Sequence, residues 1–136
     1  MDFRLALVVA VIAVAILVGC LSQAYSSLND ITLSKAKELI EANAGNSSFV
    51  LLDVRTPQEF ESGHLSGAVN IDYYAKDFRD QIGKMNKSNT YLIYCRTGRR
   101  GAEAANILKG MGFNSTYNMQ WGIESWNASN FSIVAP

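Results

Sequence analysis

The sequence predicts an α/β domain, a mostly parallel sheet with helices on both faces. Three observations lead there. Strand-length segments alternate with segments of helical spacing, the connections between them are short, and the first strand candidate is a continuous apolar run suited to burial on both faces. In sheets of this kind ligands bind beyond the carboxyl ends of the strands.

In order, "TLSKAKELIEAN" (32–43) has apolar residues at 33, 36, 39 and 40, which is helical spacing, with Thr32 or Ser34 available as a cap. "SFVLLDV" (48–54) is the apolar strand. Pro57 opens a short helical turn, "PQEFESG", that Gly63 ends, and "GAVNI" (67–71) is a second brief strand. "YAKDFRDQIGKM" (74–85) places Phe78, Ile82 and Met85 on one side of a helix. "TYLIYC" (90–95) is the clearest strand, aromatic and β-branched. "GAEAANILKGMGF" (101–113) reads as a helix with Ala102, Ala105, Ile107 and Leu108 facing inward, ended by Gly110 or Gly112. "STYNM" (115–119) is a last strand, followed by a short helix near "GIESW". No internal repeat and no second domain is visible.

The 136 residues suit one domain, and with 12 basic against 12 acidic residues the net charge is zero. A global attraction to nucleic acid or to an anionic membrane is excluded on that balance, so recognition of an anion must be local. Residues 5–19, "LALVVAVIAVAILVG", carry no polar side chain, and Arg4 is the only basic residue before Lys35. That pattern reads as a signal peptide or an uncleaved membrane anchor over 1–19. "LVGC" (17–20) resembles the lipobox of prokaryotic lipoproteins, which implies a lipidated Cys20, a tether over 20–30 and a folded domain over 31–136. The positive-inside bias puts the domain outside the cytoplasm, tethered to the outer face of the membrane. Five Asn-x-Ser/Thr sequons, at Asn46, Asn86, Asn114, Asn127 and Asn130, agree with export, although an Asn- and Ser-rich chain also makes sequons by accident.

The chemistry concentrates in "YCRTGRRG" (94–101). A loop curling from a strand end into a helix start directs backbone N–H groups inward, and the helix terminus adds partial positive charge. Gly98 and Gly101 allow a tight turn, and Arg96, Arg99 and Arg100 add charge. This setting favours a thiolate on Cys95, a nucleophile whose anionic substrate the same donors would hold. A disulfide with Cys20 is the plain structural alternative, closed off if Cys20 carries lipid. Two chemistries fit the loop. Phosphate-ester hydrolysis through phosphocysteine resembles Cys-x5-Arg, whereas here Arg100 gives Cys-x4-Arg; transfer of a sulfane sulfur needs the smaller loop, and the count favours sulfur.

Three ordered stretches are similar to rhodanese-like domains. "LLDVRTPQEFESGHLSGAVNI" (51–71) resembles their first signature, "YCRTGRRGAEAANILKGMGF" (94–113) their active-site loop and following helix, and "WGIESW" (121–126) their closing Gly-Gly-Ile-x-x-Trp. The resemblance covers about residues 30–128. It implies the rhodanese fold, with a mostly parallel sheet of about five strands. It also implies Cys95 as the persulfide-forming nucleophile, with Arg96, Thr97, Gly98, Arg99, Arg100 and Gly101 cradling the substrate. Asp53, Arg55, Glu59, His64 and Trp126 are then motif residues of structural role: Asp53 and Arg55 pair or brace loops, Glu59 holds Arg55 or the Gly63–His64 turn, and Trp126 anchors the core. His64, the only histidine, is a turn residue rather than a general base. Trp121 departs from the pattern by replacing the first of the paired glycines, where its ring either narrows the pocket mouth or lies on the surface.

The expected protein is an exported, lipid-anchored monomer that moves sulfur from thiosulfate or a related anionic donor to a thiol or cyanide-like acceptor. It needs no cofactor and carries no expected metal site; one His with one Cys in the domain is too few ligands for a structural zinc. A non-enzymatic sulfur-carrier or protein-binding module is the second reading and a cysteine phosphatase the third.

Overall fold

The computed structural model describes residues 29–135. The apolar segment 1–19, Cys20 and most of the expected tether lie outside the described residues. Five strands, β1 (Asp30–Ile31), β2 (Phe49–Asp53), β3 (Val69–Asn70), β4 (Thr90–Tyr94) and β5 (Ser115–Met119), form one sheet in the order β1-β5-β4-β2-β3. Every pairing is parallel. Five helices connect or follow them: α1 (Leu33–Ala42), α2 (Pro57–Glu61), α3 (Phe78–Gly83), α4 (Arg99–Gly110) and α5 (Gly122–Ala128).

The central strands β2 and β4 are apolar along their length because helices cover both faces. Leu52, Val54, Tyr91, Ile93 and Cys95 point to one side, where Phe78 and Ile82 of α3 and Ala104, Ala105 and Leu108 of α4 pack on them. Leu51, Leu92 and Tyr94 point to the other, against Ala36 of α1 and Ile123 and Trp126 of α5. Successive strand residues thus feed two separate cores, as the pleat requires. Among the described residues no helix is long and apolar enough to cross a membrane.

Four elements differ from the sequence reading. β1 straddles the expected boundary between tether and domain: Asp30, the last tether residue, and Ile31 pair with Asn118 and Met119. Two residues carry no periodicity, which is why the strand was invisible. β3 is shorter than expected, although Ile71 and Tyr73 still donate to the carbonyls of Asp53 and Val54. α3 begins at Phe78 rather than 74 because Asp72 holds the backbone in turns; its carboxylate accepts from the Tyr74 N–H and its carbonyl from the Ala75 N–H. α4 begins two residues early, so Arg99 and Arg100 sit in its first turn. Within it Ala104 is fully buried and Ala102 only half-buried, so the inward face is rotated from the expected one. Thr32, not Ser34, caps α1.

Leu92, fully buried at the middle of β4, should tolerate truncation poorly. Leu92→Ala is expected to lower stability by about 2–5 kcal/mol through lost burial and the cavity left behind, read as a lower urea midpoint with an unchanged denaturant slope.

Candidate active site

Cys95 follows β4 directly and is 1% exposed. The chain then turns through Arg96, Thr97 and Gly98 into α4, and the Gly98 N–H points back at the sulfur, 3.1 Å from Sγ. Gly98 has φ +102°, and a Cβ there would press on the Trp121 backbone nitrogen, so glycine serves both the turn and the close approach. As N-cap of α4 it offers no side-chain acceptor, leaving the first-turn N–H groups uncapped at the same spot. Outside the loop lies an open cleft of about 490 Å3, lined by Thr56, Glu59, Tyr74, Arg96, Thr97, Arg99 and Arg100. The sulfur lies beneath this loop rather than on the cleft wall.

A loop that turns N–H groups toward a sulfur turns carbonyls the other way, and α5 receives them. The Ile123 N–H donates to the Cys95 carbonyl (2.9 Å) and the Glu124 N–H to that of Arg96 (3.1 Å). Gly122, with φ +58°, is what lets the two backbones meet: a Cβ on it would overlap both carbonyl oxygens. Trp121 stands just before it at φ +63°, a left-handed conformation that costs a non-glycine residue about 1–2 kcal/mol. Its ring is 67% exposed and absent from the cleft wall, so of the two placements open to it the surface one holds.

The arginines are not the bare cluster the sequence presents. Each meets a carboxylate from elsewhere: Arg96 with Glu124 (2.6 Å), Arg99 with Glu103 (3.0 Å), and Arg100 with both oxygens of Glu59 (2.8 Å each). The first two pairs are exposed and contribute little to stability. The third is largely buried on the arginine side and ties the loop to α2. The local charge is therefore balanced, and the positive potential left at the loop comes from backbone N–H groups and the α4 terminus more than from net charge.

Comparison with known proteins agrees with this geometry. Residues 32–129 match the Rhodanese-like domain family. The chain belongs to that family. A Bacillus subtilis protein named as a sulfur carrier, YrkF, is 30% identical over 105 residues, which cover 77% of this chain and 54% of YrkF. The thiosulfate sulfurtransferase GlpE of Ectopseudomonas mendocina is 31% identical over 104 residues, 76% of this chain and 89% of that protein. The crystal structure of a rhodanese-related protein from Thermoplasma volcanium superposes with a TM-score of 0.65 at 25% identity, covering 78% of this chain and 97% of the other. The chain thus spans about half of YrkF's length, and it spans 23% of a longer adenylyltransferase/sulfurtransferase relative from Mycobacterium tuberculosis.

Within this rhodanese-like domain the remaining motif residues form the frame behind the loop. Arg55 binds the Asp53 carboxylate through Nε and Nη2 (2.7 Å for the shortest contact) and donates from Nη2 to the Gly63 carbonyl (2.7 Å). The Asn70 amide spans the Asp53 and Arg55 carbonyls. The expected role of Glu59 is corrected: it holds neither Arg55 nor the Gly63–His64 turn. It closes a capping box with Thr56 and reaches Arg100 instead, while Arg55 itself holds Gly63. His64 stacks on Phe60 at 3.8 Å, places Nδ1 3.0 Å from the Phe60 carbonyl and pairs through its backbone with Val134, away from the cleft wall. Trp126 is buried and donates from Nε1 to the Ser132 carbonyl.

Sequence reasoning missed Asn118. Its Nδ2 donates to the Gly98 carbonyl (3.2 Å) and to Asp30 Oδ1 (2.8 Å), so it holds the glycine whose N–H faces the sulfur. Its Oδ1 is buried without a partner among the described residues, placed where a Cβ on Gly101 would overlap it. An asparagine in a strand otherwise facing a core is the one signal that could have drawn notice.

Two outcomes follow from this packing. Gly122→Ala is expected to destabilise the domain by about 1–3 kcal/mol and to separate α5 from the loop, seen as a lower melting temperature together with faster alkylation of Cys95. The Arg100 guanidinium, helped by the Thr56 N–H and against the effect of burial, holds Glu59 down from 4.5 to about 2. Because the folded value is depressed, the stabilisation is present above the unfolded carboxyl value and drains as pH falls through about 2. Unfolding midpoints should therefore separate Glu59→Gln from the parent near pH 7, with the gap shrinking toward pH 3.

Proposed function

We propose that this domain is a sulfurtransferase that accepts sulfane sulfur from thiosulfate or a similar small anionic donor on Cys95 and passes it to a thiol or cyanide-like acceptor. The observation that carries the reading is the Gly98 N–H aimed at Sγ at the uncapped start of α4, where charge on sulfur and on an incoming anion is met by fixed dipoles. The name of the GlpE relative, of which the chain covers most, favours thiosulfate as donor.

In the first step the Cys95 thiolate attacks the outer sulfur of thiosulfate; a new S–S bond forms, the old one breaks, and sulfite leaves with its electron pair. In the second step the acceptor attacks the outer persulfide sulfur, and Cys95 departs as thiolate. Both steps are displacements at sulfur, so the enzyme ends as it began. Main-chain donors at Gly98 and the first turn of α4 hold the anionic sulfur in each step, while Arg96, Thr97, Arg99 and Arg100 on the cleft wall meet the oxyanion end of the donor. Asn118 acts as a positioning residue through Gly98.

The carrier reading stands second, favoured by the name of YrkF, and differs in that the persulfide would be handed only to a protein partner. A phosphatase reading meets a steric objection: an arginine six residues after Cys95 would stand at position 101, where Asn118 leaves no room for a Cβ. We place the domain outside the cytoplasm, held by lipid on Cys20 or by an uncleaved anchor, on the strength of Arg4, the apolar run 5–19 and "LVGC".

Incubation of the protein with thiosulfate, followed by intact mass analysis, should add about 32 daltons, removable by cyanide with formation of thiocyanate. The Cys95→Ser variant should show no adduct. An adduct that survives this substitution, or none on the parent, would overturn the assignment. Turnover with cyanide separates the enzyme from a carrier, which would load but not release.

A further inference from the structure

We infer that Asn46 and Asn86 are N-glycosylated, so that the protein carries sugar on the pole of the domain opposite Cys95. The inference rests on the proposal that the domain is exported.

The chain has eleven asparagines, and five of them head sequons with no proline at the middle position. With Ser and Thr filling about one position in eight, chance alone would make about one or two. The structure separates the two sets. All five sequon asparagines, Asn46, Asn86, Asn114, Asn127 and Asn130, are exposed. Of the six others, Asn29, Asn43, Asn70 and Asn89 are half-buried, Asn118 is buried, and only Asn106 is exposed. Accidental sequons would not track exposure in this way.

Position narrows the choice. Asn46, Asn86 and Asn114 lie in the segments entering β2, β4 and β5, and because the sheet is parallel these entries share the end opposite the Cys95 loop. At Asn114 the hydroxyl residue of the sequon, Thr116, is buried in β5. Asn127 lies within α5, where the backbone is already fully engaged. Asn46 and Asn86 have neither obstacle: Ser48 and Ser88 are exposed, and each donates its backbone N–H to the asparagine Oδ1 at 3.0 Å. Such a bond stabilises charge on the amide oxygen as the nitrogen gives up a proton. The two segments adjoin, with the Thr90 N–H bonded to the Ser48 carbonyl at 2.9 Å.

The modification is a transfer from a lipid-phosphate-linked sugar. Nδ2 gives up one proton to a basic group of the transferring enzyme and forms a bond to the anomeric carbon, the bond from that carbon to the phosphate oxygen breaks, and the lipid phosphate leaves with the electron pair. No redox partner is needed.

The full chain purified from the membranes of its own source, digested and analysed by mass spectrometry, should show sugar-mass additions on the peptides bearing Asn46 and Asn86. Asn46→Gln and Ser48→Ala should each remove the first addition, Asn86→Gln and Ser88→Ala the second, and Asn106→Gln neither. All these variants should still load sulfur on Cys95, since none touches the cleft. A processed or lipidated N-terminus with both asparagines unmodified overturns this inference alone. Both asparagines unmodified in a protein that keeps Met1 and whose domain is shielded from added protease in intact cells overturns the export proposal and this inference together, and neither result bears on persulfide formation.

Discussion

A loop that turns the Gly98 N–H onto the Cys95 sulfur exposes carbonyls on its other side, and buried carbonyls need donors. In this domain that constraint falls on Cys95 and Arg96, and α5 answers it with the N–H groups of Ile123 and Glu124. The rest of the C-terminal third follows. Gly122 must lack a side chain for the contact to form, β5 must end where it does to deliver α5, and Trp126 must bury its indole to keep the short helix in place. The seven residues of α5 have too few turns to be stable alone, so their role as a cap depends on that tertiary anchorage.

The electrostatics obey a similar economy. Three arginines in the loop and first turn of a helix oppose the helix dipole and would repel one another. Each is matched by an acid from a different part of the chain: Glu124 from α5, Glu103 from the next turn of α4, Glu59 from α2. Two of the pairs thereby tether the loop and the start of α4 to other helices, α5 and α2, while Arg99–Glu103 stays within α4. Glu59 is the most connected of them, since one carboxylate serves the Thr56 cap and the Arg100 fork together. A guanidinium bound on one edge keeps donors on the other, so pairing with acid does not remove these side chains from a substrate's reach.

Much of this could be read from the chain and some of it could not, for physical reasons. β2 and β4 announce themselves because burial on both faces demands unbroken apolar runs, and the cysteine-glycine-arginine loop because its composition conflicts with helix-start preferences. The Asp53–Arg55 pair at a strand end is one of the two roles that the rhodanese resemblance implied for these motif residues. The partner of Arg100 was not, because Glu59 lies 41 residues away and only the crossover brings them together. β1 escaped because two residues show no period, and the start of α3 because Asp72 diverts the backbone locally. Asn118 escaped for a related reason: its value lies in an amide pointing beneath another loop, a direction that only the β4–β5 register sets.

That register also bears on why the loop has its particular size. Counting from Cys95 to Arg100 distinguishes sulfur from phosphate chemistry only if the loop cannot readily lengthen. Asn118 supplies the reason. Its Nδ2 fixes Gly98 and its Oδ1 occupies the space beside Gly101, so both ends of the turn are measured against one side chain on β5. A residue inserted before Gly101 would push a side chain toward that oxygen or lift Gly98 from its donor. Either change would move the N–H that faces Cys95. The loop length is therefore a property of the sheet as much as of the loop, and a phosphate-sized version would require β5 to carry a different residue at 118 first.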